Sequence, residues 1–166
     1  PPYAAYRPDT EWSFTGRLEW LLAGEWEQFR QFTSPSHEEF GLMLGVAGTG
    51  QSQERDRTTD NPKNKLYGLT ADVSADFGGA SLFASMVWER QMDPGGDIDS
   101  LDYWGLVAQG SMYVDPKWEI YARYEMGGPF NQVLIDPEGA GIDTQGVSIL
   151  TVGLNWYLDG QDVKLT

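Results

Sequence analysis

The chain has 166 residues, 25 Asp plus Glu against 11 Lys plus Arg, a formal net charge of -14 and no cysteine. That length supplies one ordinary domain, and the lack of any thiol excludes disulfide scaffolds, cysteine-based zinc sites and thiol nucleophiles. The acidic balance repels phosphate backbones, so nucleic acid is not an expected partner. No run of about 18 apolar residues is present, which excludes a spanning helix but not a spanning strand, since a strand needs only about ten residues with every second one apolar. Pro1 is not followed by the basic start and apolar core of a signal peptide, which reads as a leader absent or already removed.

A two-residue period, which puts successive side chains on opposite faces of a strand, recurs along the chain. The first run sets Trp12, Phe14, Gly16, Leu18, Trp20 and Leu22 against Ser13, Thr15, Arg17 and Glu19. The second sets Phe40, Leu42, Leu44 and Val46 against Glu39, Gly41, Met43 and Gly45, and the third sets Tyr67, Leu69, Ala71, Val73, Ala75 and Phe77 against Thr70, Asp72, Ser74 and Asp76. In the fourth, Leu82, Ala84, Met86 and Trp88 oppose Ser81, Ser85 and Glu89, with Phe83 and Val87 breaking the polarity. The fifth has Trp104, Leu106, Ala108, Met112 and Val114 against Gln109 and Ser111. The sixth has Trp118, Ile120, Ala122, Tyr124 and Met126 against Glu119, Tyr121, Arg123 and Glu125. The seventh has Leu150, Val152, Leu154, Trp156 and Leu158 against Thr151, Gly153, Asn155 and Tyr157, and an eighth opens at Val163 and Leu165.

The links alternate in kind. Gly78-Gly79, Asp115-Pro116-Lys117 and Asp159-Gly160-Gln161 have hairpin length and hairpin residues, whereas 49 to 64, 91 to 100 and 128 to 144 read as long polar loops. Short turns at one end and long loops at the other are the habit of an outer-membrane barrel. Trp12, Trp20, Trp88, Trp104, Trp118 and Trp156 lie near the ends of their apolar faces, as indoles do in a girdle at a membrane-water boundary. The expected fold is all-β: an antiparallel up-and-down transmembrane barrel, to which this chain, 1–166, gives about seven to eight strands as a single domain. Residues 23–38 then form a periplasmic-side link, in which Trp26, Phe29 and Phe32 suggest a short amphipathic turn that rests at the inner edge of the bilayer or plugs the barrel floor.

The segments GRLEWLLAGEWEQF (16 to 29), DPKWEIYARYEMG (115 to 127) and TVGLNWYLDGQDVKLT (151 to 166) resemble the C-terminal half of the O/P-type porins, the phosphate-selective porin family. The resemblance covers most of the chain beyond about residue 12 and implies a sixteen-stranded, usually trimeric barrel in the bacterial outer membrane that passes small ions and solutes by diffusion. Its partners are then the lipid bilayer and lipopolysaccharide, with no cofactor and no catalysis. An odd number of strands leaves open edges that lipid does not allow, so the chain reads as part of a longer polypeptide, truncated at both ends.

The pore-lining set expected from strand parity is Arg17, Glu19, Asp72, Asp76, Glu89, Glu119, Tyr121, Arg123 and Glu125, with Glu39 near it. Carboxylates outnumber cations there, which favours cations or weak selectivity and makes phosphate selectivity doubtful. Gly41, Gly45, Gly68, Gly105 and Gly153 recur on the same faces, where small residues would leave room for water or a tight bend. Asp93, Asp97, Asp99 and Asp102 form an acidic stretch without the ordered calcium-loop pattern and with its distal Glu missing, so a solvated loop outweighs a metal site. The one histidine, His37, sits beside Ser36 and Glu38, but adjacent residues of an extended chain point apart, and an ordinary loop histidine is the reading. Two alternatives remain: a soluble antiparallel barrel or sandwich binding an apolar ligand with its Trp faces inward, and a structural outer-membrane barrel that binds a cell-envelope partner.

Overall fold

Each period-two run becomes a strand. The computed structural model describes residues 10–35, 39–53, 65–95, 98–130, 133–135, 141–143, 146–159 and 163–166. The strands are β1 (Thr10–Ala23), β2 (Gly41–Gln53), β3 (Lys65–Asp76), β4 (Ala80–Gly95), β5 (Ile98–Asp115), β6 (Trp118–Pro129), β7 (Val133–Ile135), β8 (Gly141–Asp143), β9 (Val147–Asp159) and β10 (Val163–Leu165). The helical content among the described residues is one 3₁₀ turn, Gln28–Arg30.

Eight strands form one sheet in the order β1-β2-β3-β4-β5-β6-β9-β10, every neighbour antiparallel, and β7-β8 is a separate hairpin within the link from β6 to β9. This is an up-and-down meander with open edges at β1 and β10. The turn from β3 to β4 is set by Gly78 and Gly79, both at positive φ (65° and 104°), the backbone that a tight hairpin requires and that L side chains resist. A bond from Phe77 N–H to the Ala80 carbonyl, 2.8 Å, closes it.

The three expected long loops are shorter than the polarity of their residues suggests, and the first loses 49–53 to β2. β4 runs to Gly95 and β5 starts at Ile98, so most of 91–100 is strand. Likewise β6 continues to Pro129 and β7-β8 occupies part of 128–144. Where polar residues fall at both parities of a segment, alternation loses its contrast, so composition there does not separate strand from loop.

The burial pattern is inverted relative to a water-soluble sheet. Among the described residues the buried polar set is Thr33, Ser34, Ser52, Asp76, Ser81, Ser111, Glu119 and Asn155, while Met43 and Tyr157 are the buried hydrophobic side chains. Large apolar side chains on the opposite face are exposed, among them Leu18 at 64%, Leu69 at 55%, Leu82 at 56% and Val152 at 72%. The covered side of this sheet is its polar side.

Gly79→Ala places a Cβ at φ 104° and is expected to cost about 1–2 kcal/mol, the price of left-handed backbone for an L residue. Chemical unfolding in detergent, followed by tryptophan fluorescence, reads it; an unchanged midpoint would mean that the hairpin tolerates another backbone.

Candidate functional site

Register gathers the expected wall residues on one face. Glu19 lies opposite Gly45, which lies opposite Asp72; Val107 lies opposite Glu125, Gln109 opposite Arg123, Glu89 opposite Gly68, and Glu119 opposite Asn155. Arg17 on β1 reaches across β2 to β3, donating from Nη1 and Nη2 to the two Asp72 oxygens at 2.7 and 2.9 Å, and from Nε to Glu19 at 2.7 Å. A Cβ at Gly45 would strike both the guanidinium and the Asp72 carboxylate, so glycine is what lets this pair close over the intervening strand. Asp72 is 7% exposed, and bidentate, charge-assisted bonding is what makes its burial tolerable. Arg123 donates from Nη2 to Glu125 at 2.6 Å, with both side chains more than a third exposed, a pair worth about 0–1 kcal/mol.

The same device corrects the reading of the other wall glycines as room for water. Phe29 lies over Gly41, Thr49 over Gly68, Val87 over Gly105, and the Tyr121 ring over Gly153. Each glycine seats a neighbour's side chain flat on the sheet.

The link after β1 folds onto this polar face as a strap. Gly24, at φ 82°, turns the chain, and the Gln28 side chain clamps the two ends of the link: it accepts from Glu25 N–H at 2.7 Å and donates to the Glu39 carbonyl at 2.9 Å. The Phe32 ring packs on Phe83 at 4.8 Å. Thr33 donates to the Tyr113 hydroxyl at 3.1 Å, Ser34 accepts through its carbonyl from Gly79 N–H at 2.8 Å and through Oγ from Gly78 N–H at 3.2 Å, and Ser81 donates to the Phe32 carbonyl at 3.3 Å. Thr33 and Ser34 are buried by these bonds. Of the three spaced aromatics, Phe29 covers Gly41 and Phe32 meets Phe83 of β4, while Phe32 and Trp26 remain 59% and 54% exposed.

Beside the strap, Glu119 is 1% exposed and its Oε2 accepts from Asn155 Nδ2 at 2.8 Å and from the Tyr157 hydroxyl at 2.5 Å. The Tyr157 ring stacks on Tyr113 at 5.4 Å. A cavity of about 370 Å³ opens here, lined by Glu119 with Gln31, Gln109, Tyr121 and Lys164. Asp76 is also buried, so three of the nine expected wall residues, Asp72, Asp76 and Glu119, share the face without presenting their side chains to water.

On the opposite face the six tryptophans form two rows. Trp12, Trp88 and Trp104 lie toward the β4-β5 link, with Trp88 directly opposite Trp104; Trp20, Trp118 and Trp156 lie toward the short turns, with Trp118 and Trp156 stacked at 5.4 Å and 6°. Just past Trp88, Arg90 pairs with Asp102 at 2.7 and 2.8 Å and lies over the Trp88 ring at 5.4 Å. Of the acidic stretch, Asp97 lies outside the described residues, as do the side chains of Asp93 and Asp99, while Asp102 is taken by arginine; no metal-binding group of three is found among the described residues. Ser36, His37 and Glu38 lie outside the described residues.

Parity alone misses the strap and the Asn155–Tyr157–Glu119 cluster. The legible signal was Phe83, an aromatic on a polar face, which breaks the alternation because Phe32 docks there. Comparison with known families, curated proteins and solved structures finds no match to this chain.

Phe83→Ser removes the ring on which the strap rests. Because aromatic pairs contribute about 0.5–1.5 kcal/mol beyond their area, trypsin cleavage after the exposed Arg30 is expected to speed up roughly tenfold. Equal cleavage of wild type and variant would show that the hydrogen bonds of Thr33 and Ser34 hold the strap alone.

Proposed function

We propose that the chain is part of a porin of the bacterial outer membrane: a water-filled β-barrel whose wall is the polar face and whose lipid-facing side is the apolar one. The carrying observation is the inverted burial, with polar side chains covered and large apolar ones exposed. A surface so apolar is unfavourable in water and at rest in hydrocarbon. The two tryptophan rows support the same reading. Trp12 and Trp20 are eight residues apart on β1, about 27 Å along a strand and about 20 Å along the membrane normal at the tilt of barrels, close to the height of an apolar band.

The open edges at β1 and β10 carry unpaired backbone groups, which lipid does not tolerate, so further strands close the barrel. The resemblance to the O/P-type porins suggests sixteen strands and a trimer, with lipopolysaccharide around the loop end. Transport is passive and selects by width and field. Arg17 and Arg123 are both tied to carboxylates, so neither stands ready to strip water from an anion; the acidic excess makes the passage cation-favouring or weakly selective, not phosphate-selective. A soluble barrel wrapped around an apolar ligand would need the tryptophan face inward, and the strap, with its buried Thr33 and Ser34, lies on the other face.

The test is the reversal potential of the protein, extracted from its native membrane, in a planar bilayer under a KCl gradient. Cation preference is expected, and replacing Glu89 and Glu125 by lysine is expected to lower the K⁺ to Cl⁻ permeability ratio roughly fivefold or more, from screened Coulomb interactions at about 10 Å. Unchanged ratios would remove these residues from the wall, and absence of channels would remove the porin reading.

A further inference from the structure

The face read as the wall is not polar throughout. Toward the β4-β5 link it carries Val87, Val147 and Ile149, which are 43%, 62% and 49% exposed, and the half-buried Val107. Single exposed apolar residues are ordinary on a surface, but a contiguous group of them on a face otherwise held by hydrogen bonds marks a place where something apolar docks. Register makes this group contiguous. Val87, Gly105, Gly127 and Val147 stand side by side on β4, β5, β6 and β9, and Val107, Glu125 and Ile149 form the next row toward the short turns.

Val87 and Val147 are three strand spacings apart, about 14 Å, with only glycine between them. Val87 leans over Gly105, its Cγ1 3.0 Å from where a Cβ would stand, so the open place lies over Gly127. That position takes no side chain, because a Cβ there would come within 2.6 Å of the Trp104 carbonyl oxygen and 3.1 Å of the Gly105 Cα. The hollow is therefore built by the close approach of the β5 and β6 backbones. At its edge toward the short turns stands the Arg123–Glu125 pair, donor beside acceptor, with both side chains more than a third exposed.

We propose that this hollow is a binding subsite for the apolar ring of a neutral, hydroxyl-rich solute, the chemistry of an aryl glycoside. A glycine floor between aliphatic side chains offers a flat group apolar contact and no polar partner. The rim selects neutral hydroxyls: a paired guanidinium and carboxylate donate to and accept from hydroxyls without separating, whereas a charged group of either sign must draw one of them from its partner. The inference rests on the reading of the polar face as a solute path, and it adds an apolar contact to selection by width and field.

The probes are phenyl β-D-glucoside and methyl β-D-glucoside, which share the sugar and differ in the ring. In planar bilayers the phenyl compound is expected to interrupt the wild-type current at about one tenth the concentration of the methyl compound, the effect of taking roughly 60 Å² of ring out of water. Val147→Ser combined with Ile149→Ser is expected to bring the two within about twofold of each other. Channels that respond equally to both glucosides, or whose discrimination survives the double substitution, overturn the subsite and leave the pore standing. Discrimination that is absent in wild type and emerges once residues 131–145 are replaced by a Gly-Ser link also overturns it, with this chain's own link as the occupant. Absence of channels overturns the pore, and equilibrium dialysis of phenyl β-D-glucoside against the protein in lipid nanodiscs then decides the subsite. Saturable binding that the double substitution weakens keeps it; no saturable binding, or binding that the substitutions leave unchanged, ends it. The comparison of the two glucosides needs no variant, so the inference remains testable if the double variant does not fold.

Discussion

A sheet that covers its polar face and exposes its apolar one cannot be held together by expelling water from oil. Each group on the covered side has lost water and must find a donor or acceptor of its own, because an unmatched buried polar group costs about 1–3 kcal/mol. Arg17 spanning β2 to meet Asp72 is the plainest instance: one guanidinium joins three carboxylate oxygens from two strands. The serine and threonine bonds beneath the strap, Ser81 with Ser111 and Thr33 with Tyr113, are the same solution at lower charge. Backbone ladders supply the sheet, and side-chain networks supply its third dimension.

Glycine is what makes those networks geometrically possible. Side chains that must reach a partner two strands away, or lie flat to keep a face open, need a position where no Cβ stands up. Gly45 serves Arg17 and Asp72, and Gly153 serves the Tyr121 ring. The polar face is thus lowest at Gly45, where the Arg17 and Asp72 charges cross. Its most covered region is elsewhere, at the short-turn end, where the strap docks on Phe83 and on the Gly78-Gly79 turn. That turn has two duties, since the backbone amides that its left-handed geometry turns outward are the ones Ser34 accepts from.

The fold was largely legible in the sequence, because period-two alternation depends only on a strand having two unlike faces. The up-and-down order followed from hairpin residues such as Gly78 and Gly79. Strand length was not legible at 91–100, where polar residues and glycines fall at both parities and alternation loses its contrast. The site was half legible. Parity put Arg17, Glu19, Asp72, Glu119 and Arg123 on one face, but pairings across two strands and the path of the strap depend on tertiary contact. Phe83 and Val87, which spoiled the pattern, were the informative residues: one docks the strap and the other fills the place above Gly105.

Asp72 and Glu119, both buried, show how one face solves a single electrostatic problem in two ways. Asp72 takes a full counter-charge and becomes electrically quiet, its field closed within a few ångströms by Arg17. Glu119 takes neutral donors from Asn155 and Tyr157, which hold its geometry but leave its charge uncancelled. An ion pair of the first kind fixes strands; a carboxylate of the second kind projects a field into whatever space adjoins it, and in a medium less polarisable than water that field carries further. The cavity beneath the strap is that space. Formal charge and effective charge are therefore different quantities on this face: its field is set less by how many acids it carries than by which of them were left without an arginine.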